Sequence, residues 1–251
     1  MINNQFIYPH WPAPSKVHAL STRRAGGVSA GRYDSFNLAQ HVGDNPVQVA
    51  HNRQILIDQA SLPTAPHWLN QTHSTQVIEI TQEHAVDNNT DQAPIDADGV
   101  VSHHSNVVCS VLTADCMPIL LTNQQGSSVA AVHAGWRGLA NGILENAIAA
   151  MNCPPEQIIA WAGPCIGSQA FEVGLEVRDQ LGGPDSAYQS ISDDKVYADL
   201  VSLAQFRLQT VGVNEFSASH ACTYENENEF FSYRRSGQCG RMASLIWMEP
   251  S

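Results

Sequence analysis

The sequence predicts an α+β fold: a layered α/β/β/α arrangement with mixed β-sheets in a single domain over residues 1–251. Short β-branched or apolar runs crowd the middle of the chain, and segments with helical spacing lie on both sides of them. The two kinds of segment do not alternate strictly, so a doubly wound parallel sheet fits poorly. With 251 residues, 43% of them hydrophobic, the chain can bury one sizeable core.

The first third of the chain contains one predicted strand and one predicted helix. Val17–Thr22 has strand character, and three glycines between residues 26 and 31 then allow the backbone to approach a ligand closely. Residues 46–60 have helical periodicity and carry a proline where the first helical turn accepts one. The polar stretch 81–94 is predicted to be one solvated loop.

The middle of the chain is predicted to form the buried sheet. Its short β-branched or apolar runs are residues 77–80, 100–102, 107–113, 119–122 and 129–133. Helical spacing over residues 139–151 makes residues 135–138 a strand-to-helix turn. The remaining predicted elements are a strand at 158–162, a helix carrying Phe171, Leu175 and Val177, a helix at 199–211, and strands at 230–235 and 243–248.

Charge and composition exclude several classes of partner. The formal net charge of -12 repels nucleic-acid polymers and anionic membrane surfaces, whereas small-molecule substrates stay open. No apolar run approaches the ~20 residues of a membrane span, and the first eight residues lack the basic and apolar regions of a secretory signal. The six cysteines include no Cys-x-x-Cys pair. We therefore expect a cytoplasmic protein with free thiols; its oligomeric state is left open.

Three residues from separate segments form a candidate metal site. His73 lies in a turn between predicted strands, Cys116 lies at the break between two buried strands, and His133 ends a strand. Two imidazoles and a thiolate suit zinc, and three protein ligands leave a fourth position for water or substrate. Spacing alone does not distinguish such a site from buried structural side chains, because cysteine is often only a small core residue.

Consecutive motifs over nearly the whole chain carry a family resemblance. They are Ser21-Thr22-Arg23-Arg24, Gly26-Gly27-Val28-Ser29, Phe36-Asn37-Leu38, His41-Val42-Gly43-Asp44, Asn52-Arg53, Asn70-Gln71-Thr72-His73, Asp96-Ala97-Asp98-Gly99, Ala114-Asp115-Cys116-Met117-Pro118, His133-Ala134-Gly135-Trp136-Arg137, Gly163-Pro164-Cys165-Ile166-Gly167 and Phe230-Phe231-Ser232-Tyr233-Arg234-Arg235. In these segments the chain resembles the laccase-domain proteins, a family of proteins also called polyphenol oxidases or purine nucleoside phosphorylases. Ala25 is the one small departure that we find, and the metal segments match fully.

The resemblance implies an activity and a ligand set. His73, Cys116 and His133 are expected to bind Zn²⁺ in a purine nucleoside phosphorylase. Adenosine, inosine, guanosine and methylthioadenosine would each react with phosphate to give the free base and ribose 1-phosphate. Adenosine deamination is implied as a second activity.

The resemblance also focuses attention on arginines, because a guanidinium binds phosphate through two parallel hydrogen bonds. Six arginines lie in the shared segments: Arg23, Arg24, Arg53, Arg137, Arg234 and Arg235. Arg53 is the first choice for phosphate, with Arg137, Arg234 and Arg235 as further substrate contacts. We expect Cys116, His133, Arg53 and Asp115 to form the catalytic group.

Other polar and aromatic residues are weaker candidates. Asp98 and Asp115 are predicted to orient the ligating imidazoles, as carboxylates beside metal-bound histidines commonly do. Asn37 could hydrogen-bond the sugar or base, and Trp136 or Phe231 could stack on a purine. Each of these residues could equally serve a turn or the core.

Three rival interpretations stay open at this point. A copper-dependent polyphenol oxidase would use the same two histidines and cysteine, but Met117 is badly placed as an axial ligand and no His-x-His pair is present. A cysteine hydrolase or amidase, acting on peptidoglycan precursors, would use Cys116 as nucleophile with a histidine base. A non-catalytic metal module would need a fourth protein ligand, for which Cys165 is the nearest candidate.

Overall fold

The structure of the protein is a computed structural model, and it describes residues 5–82 and 94–250. The strands are β1 (Phe6–Ile7), β2 (Val17–Thr22), β3 (Val77–Glu79), β4 (Gly99–Ser102), β5 (Cys109–Thr113), β6 (Met117–Asn123), β7 (Val129–Ala134), β8 (Ile158–Ala162), β9 (Glu172–Gly174), β10 (Tyr188–Ser190), β11 (Lys195–Ala198), β12 (Glu215–Ala218) and β13 (Met242–Met248). The α-helices are α1 (Pro46–Gln59), α2 (Trp136–Asn141), α3 (Ile143–Ala150), α4 (Leu175–Leu181), α5 (Leu200–Thr210) and α6 (Tyr233–Ser236).

The strands form three sheets. The largest has the order β12-β8-β6-β7-β4-β3 and is mixed, because β12 with β8 and β3 with β4 are parallel whereas the inner pairs are antiparallel. An antiparallel sheet has the order β1-β2-β13-β5, and the smallest is β10-β11-β9. Since β13 comes from the end of the chain and pairs between β2 and β5, the termini are tied into one fold.

The two larger sheets pack face to face between helices. Ala19, Val111 and Ile246 of the four-stranded sheet meet Leu120 and Ala131 of the six-stranded sheet in one apolar cluster. A second cluster joins the outer face of the four-stranded sheet to α1, and a third joins the outer face of the six-stranded sheet to α2, α3 and α5. The predicted α+β class with α/β/β/α layers is therefore confirmed.

The central strands are buried on both faces. All residues of β5, β6, β7 and β8 are buried, which explains why their sequences are nearly continuous apolar runs instead of alternating ones. Such strands have two packed neighbours and hold their ends in fixed positions. The side chains that follow them are thereby placed reproducibly.

Several predicted elements differ from the structure. The helical stretch 139–151 is divided into α2 and α3 by Gly142, whose φ of 98° interrupts a helix. The predicted strand at 230–235 is wrong: Phe230 and Phe231 lie in irregular chain, and α6 follows. The helix predicted around Phe171 begins only at Leu175, because 172–174 form β9. Most of the loop predicted at 81–94 lies outside the described residues.

No helix in the described ranges is long and apolar enough to cross a membrane.

Candidate metal and active site

His133 is held in one orientation by a buried carboxylate. It lies near the end of β7, opposite Pro118 of β6, and its backbone N–H donates to the Asp98 carbonyl at 2.7 Å. Its Nδ1 lies 2.7 Å from Oδ1 of Asp98, and both side chains are buried. Because Nδ1 is engaged by Asp98, the other ring nitrogen, Nε2, is the one available to a metal.

Asp98 also positions the segment that carries His73. Its carboxylate accepts hydrogen bonds from the backbone N–H groups of Thr72, His73 and Ser74 at 3.2, 3.0 and 2.6 Å. Burial alone would raise the pKa of Asp98, but the hydrogen bonds from His133 and Ser74 outweigh it and lower this pKa to about 2. One carboxylate therefore fixes two candidate ligands, as predicted for Asp98.

Cys116 completes the cluster from the loop between β5 and β6. Its Sγ lies 3.9 Å from Nε2 of His73, and the ligand atoms of His73, Cys116 and His133 all lie within 4.8 Å of one another. Burial opposes ionisation of both Cys116 and His133, yet their mutual attraction dominates. It lowers the pKa of the Cys116 thiol and raises the pKa of His133, which favours the thiolate that a metal requires.

The cluster fits a zinc ion in donor type and in space. Zinc binds nitrogen near 2.1 Å and sulfur near 2.3 Å, so tetrahedral ligands of these types lie about 3.6 Å apart, close to the observed Cys116–His73 separation. Gly135 leaves room beside the cluster, because a Cβ there would lie 3.1 Å from both Sγ of Cys116 and Cδ2 of His73. Within the described residues, no other group of three or more His, Cys, Asp or Glu side chains is close enough to hold a metal.

All three ligands face a cavity of about 520 Å³. Its wall has a cationic set of three arginines, Arg137, Arg234 and Arg241, an aromatic set, Trp136, Phe171 and Tyr233, and the imidazole of His41. Asp115 is the one carboxylate among the residues described as lining it, and that carboxylate is occupied by hydrogen bonds within the protein. In a chain with a net charge of -12, this wall is a local cationic surface suited to an anion.

Two of the predicted substrate arginines lie on the cavity wall. The Arg137 guanidinium carbon stands 4.4 Å from the Trp136 ring centroid. Arg234 donates from Nη1 to the Glu172 carbonyl at 2.9 Å and lies 5.5 Å from the ring centroid of Phe171. Both guanidinium groups are therefore associated with the aromatic residues of the wall.

The described lining of the cavity does not include Arg53, Asn37 or Arg235. Arg53 donates to the Leu38 carbonyl and stacks 4.1 Å from the Trp68 ring centroid. Asn37 is fully buried and bonded to backbone. Arg235 donates to the carbonyls of Thr223, Tyr224 and Phe230, so it anchors the chain around α6.

Arg23, Arg24 and Phe231 also lie away from the described cavity wall and contact other parts of the protein. Arg23 forms an ion pair with Glu229, and Arg24 donates to the carbonyls of Asp34 and Glu227. Phe231 is buried beneath Gly240. It is not one of the described residues that line the cavity. Trp136, in contrast, lies on the wall as predicted.

Asp115 braces the loop behind the cluster. Its Oδ1 accepts from the Thr223 hydroxyl at 2.6 Å, and Oδ2 accepts from the Arg234 backbone N–H at 2.8 Å. These bonds tie the Cys116 loop to α6. Of the two predicted orienting carboxylates, Asp98 contacts a candidate ligand and Asp115 positions the opposite wall.

Five residues of the wall with aromatic, imidazole, amide or guanidinium groups were not predicted from the sequence as site residues. They are His41, Gln71, Phe171, Tyr233 and Arg241. His41, Gln71 and Tyr233 lie inside shared motifs, so their position was the available signal. Arg241 and Phe171 lie outside the motifs quoted, and only the folded chain brings them to the cavity.

The chain matches one protein-family model over residues 18–249, the model of multi-copper polyphenol oxidoreductase laccase. That range covers almost the whole chain and includes all three candidate ligands. The protein belongs to this laccase-domain family. The family predicted from the motifs is thereby confirmed.

Relatives of this laccase-domain protein match it end to end. A protein of Haemophilus influenzae named purine nucleoside phosphorylase is 43% identical over 98% of this chain and 100% of its own. Purine nucleoside phosphorylase YfiH of Escherichia coli is 44% identical over 98% and 99% of the two chains. The crystal structure of Neisseria meningitidis protein NMB0706 has a TM-score of 0.90 at 44% identity, covering 98% of this chain and 100% of that one.

Two alternatives weaken in the structure. Cys165 pairs with Cys222 in an isolated β-bridge and is not part of the metal cluster, so no fourth protein ligand is found among the described residues. Met117 is fully buried among core residues on the helix side of the six-stranded sheet. The Cys116 sulfur faces the cavity instead, which agrees with the prediction that Met117 is badly placed as an axial ligand.

Proposed function

We propose that this protein is a zinc-dependent purine nucleoside phosphorylase. The observation that carries the proposal is one cavity lined by a two-histidine, one-cysteine cluster, three arginines and aromatic rings. Full-length relatives named purine nucleoside phosphorylase support the substrate class. The net charge of the chain argues against a polymeric nucleic acid as the substrate.

His73, Cys116 and His133 would hold the zinc ion. A zinc ion bound there supplies Lewis acidity at the cavity wall through a coordination position that the protein leaves open. Cys116 then acts as a ligand and not as a nucleophile, since its thiolate is shared with the cation. Asp98 keeps Nδ1 of His133 engaged and holds the His73 backbone in place.

The remaining wall residues bind and orient the two substrates. Trp136 and Phe171 offer flat apolar faces to a purine, and the arginines beside them neutralise the phosphate dianion. In phosphorolysis the bond from C1′ of the ribose to N9 of the purine breaks. A phosphate oxygen bonds to C1′, and the departing base takes up a proton.

The proposed substrates are adenosine, inosine, guanosine and methylthioadenosine. Adenosine deamination, which consumes water and releases ammonia, is proposed as the second activity of the same open site. Both activities act on one purine pocket, so they should be lost together when the metal cluster is broken.

Product analysis tests the proposal. Protein of known metal content is incubated with each nucleoside, with and without phosphate, and bases, ribose 1-phosphate and ammonia are quantified. We expect base and ribose 1-phosphate in equal amounts only when phosphate is present. Base release that is unchanged without phosphate would contradict phosphorolysis.

Copper is the alternative metal, because nitrogen and sulfur ligands bind copper more tightly than zinc. We propose zinc because the described residues contain a single three-ligand cluster and no further cluster for a multi-copper centre. Elemental analysis of protein purified without added metal tests this choice. Oxidation of a phenolic substrate, together with copper in the protein, would favour the oxidase.

One observation favours a second candidate, a cysteine hydrolase or amidase. Cys116, His133 and Asp98 form a nucleophile–base–carboxylate series: His133 is hydrogen-bonded to Asp98, and its ligand nitrogen lies within 4.8 Å of the Cys116 sulfur. His73 beside the same sulfur is not needed for that chemistry and favours the metal. Metal-free protein that is active on a peptidoglycan-precursor amide, and inactivated by alkylation of Cys116, would support the hydrolase.

A further inference from the structure

We propose that His41 and Arg241 form the phosphate subsite of the cavity. The proposal rests on the proposed phosphorolysis, since it assigns the site of the second substrate. Neither residue belongs to the arginine set predicted from the motifs. The ligand is inorganic phosphate, or the phosphate of the ribose 1-phosphate product.

Two arginines and a histidine come together here from two parts of the chain. His41 and Arg241 both line the cavity, and Arg53 donates to the carbonyl of Leu38, three residues before His41. Burial, and then the positive charges of Arg241 and Arg53, lower the pKa of His41. Burial also lowers the pKa of Arg53, to about 10.

This cluster has no anionic partner within the described part of the chain. Seven ion pairs are found there, and none involves His41, Arg53 or Arg241. Asp44, which lies near in sequence, accepts instead from Ser29 and Asn37. The guanidinium charges of Arg53 and Arg241 therefore favour an anion, and the neutral imidazole of His41 can still donate one hydrogen bond to it. A bound phosphate supplies that anion.

The backbone around the cluster holds Arg241 ready for such a ligand. Oδ1 of Asn37 accepts from the Arg241 backbone N–H at 2.9 Å, and the Leu38 N–H donates to the Arg241 carbonyl at 3.3 Å. Arg53 donates to the Leu38 carbonyl, so the three segments are linked. Asn37 and Arg53, two predicted substrate contacts, are therefore positioning residues for this subsite.

The guanidinium of Arg241 keeps one edge available. The hydrogen bonds described for it all leave from Nη1, to the carbonyls of Cys239 and Gly240 at 2.8 and 3.0 Å and to the Cys239 sulfur at 3.6 Å. Nε and Nη2 form the parallel pair of donors that grips two phosphate oxygens. His41 adds an imidazole N–H from the facing segment.

The two other arginines of the wall are less suited to this role. Arg137 lies over Trp136, and Arg234 is bonded to the Glu172 carbonyl beside Phe171. Both are thus associated with the aromatic surfaces that suit a purine. Arg241 lies 5.8 Å from the Tyr233 ring centroid, so the proposal assigns Trp136 and Phe171 to the base and His41 and Arg241, beside Tyr233, to phosphate.

Kinetics with both substrates varied test the assignment. Arg241→Gln and His41→Asn are compared with Arg178→Gln, a control that removes a positive charge from the exposed ion pair of α4. We expect the KM for phosphate to rise about tenfold to a hundredfold in Arg241→Gln, the range for losing charged hydrogen bonds. A smaller rise is expected in His41→Asn, and the KM for inosine should change less than about twofold. Arg241→Lys keeps the charge but loses the paired donors, and should be intermediate.

Two further measurements separate the possible failures. Binding of inorganic phosphate to the zinc-loaded protein, followed by calorimetry, should weaken in both variants, while melting temperature reports whether each variant folds. If the unmodified protein cleaves nucleosides without phosphate, the proposed function fails. If cleavage needs phosphate but folded Arg241→Gln and His41→Asn keep the phosphate KM of the control, the subsite assignment is overturned.

Discussion

The His73–Cys116–His133 cluster and the arginines of the wall line one cavity, but their side chains are held in place by different kinds of contact. His73, Cys116 and His133 have short side chains at the ends of buried strands or beside them, and the carboxylate of Asp98 holds two of them. The arginines of the wall have long side chains on loops and short helices: Arg234 and Arg241 donate to backbone carbonyls, and Arg137 lies over Trp136. We therefore expect the cluster to be rigid and to lose its function with any single substitution. In the wall, a substitution that removes one arginine leaves two others, so we expect a partial loss of binding.

This difference predicts how each region responds to substitution. In the cluster, the three side chains would hold one zinc ion together, so we expect the loss of any of them to remove the proposed activity. In the wall, binding energy is distributed, and single changes should alter the KM for one substrate more than kcat.

The largest effect is expected for Cys116→Ala. We expect zinc content to fall to background and phosphorolysis to fall more than about 100-fold, beyond the range for altering an outer partner of a ligand. Elemental analysis and product assays measure both. Cys153→Ser changes a half-buried cysteine outside the cluster and should match the unmodified protein. Retention of zinc by Cys116→Ala would remove this thiol from the ligand set.

A smaller loss is expected for Asp98→Asn. The amide is a poorer partner for His133 and for the three backbone N–H groups, so zinc affinity should fall about 10- to 100-fold. The free energy of unfolding should fall by about 1–3 kcal/mol, since a buried charged hydrogen-bond network is broken. Chelator competition and urea unfolding measure the two effects. Asp185→Asn, at an exposed ion pair, is the control, and an affinity equal to it would contradict the role of Asp98.

Gly135→Ala tests the space beside the cluster. The added Cβ would lie 3.1 Å from Cys116 Sγ and from His73 Cδ2, so a ligand must move by a few tenths of an ångström. The backbone φ of -64° suits alanine, which leaves contact as the only penalty. We expect a several-fold loss of zinc affinity with little change in melting temperature. Unchanged affinity would show that the ligands have room to adjust.

The smallest effect is expected for Arg53→Gln. Its side chain stacks on Trp68 and does not reach the cavity wall, so stability should fall by about 1 kcal/mol through the lost stacking. The KM for phosphate should rise only about two- to threefold, because a supporting charge is lost and not a direct contact. A rise as large as that of Arg241→Gln would return Arg53 to the role of direct phosphate ligand.

The fold, and the proximity of His73, Cys116 and His133, were predictable from the sequence because buried strands and their ends leave a local pattern in it. Buried strands appear as apolar runs, and their ends are where His133 and Cys116 lie. Family motifs then identified His73 as the third member. The phenylalanines at 230 and 231 misled the strand prediction, since their burial comes from packing under residues 239–242 and not from a sheet.

The cationic wall was less predictable because tertiary structure decides where a long side chain ends. Arg53 and Arg235 belong to shared motifs, yet their guanidinium groups bind backbone carbonyls or an aromatic ring. Arg241 shows no such motif, yet the pairing of β13 with β2 and β5 brings it to the cavity. Asn37 was predicted to contact substrate because its side chain is polar. In the structure its Oδ1 accepts a hydrogen bond from the backbone N–H of Arg241 instead.

One assay on a single preparation of the protein tests whether it carries out phosphorolysis and whether that activity depends on zinc. Inosine and phosphate are supplied to the zinc-loaded protein, to the same protein after chelation, and to that protein after zinc is returned. We expect hypoxanthine and ribose 1-phosphate in a one-to-one ratio, the loss of both products on chelation, and their return when zinc is added back. Equal product formation by the stripped protein, or base release without ribose 1-phosphate, would contradict this expectation.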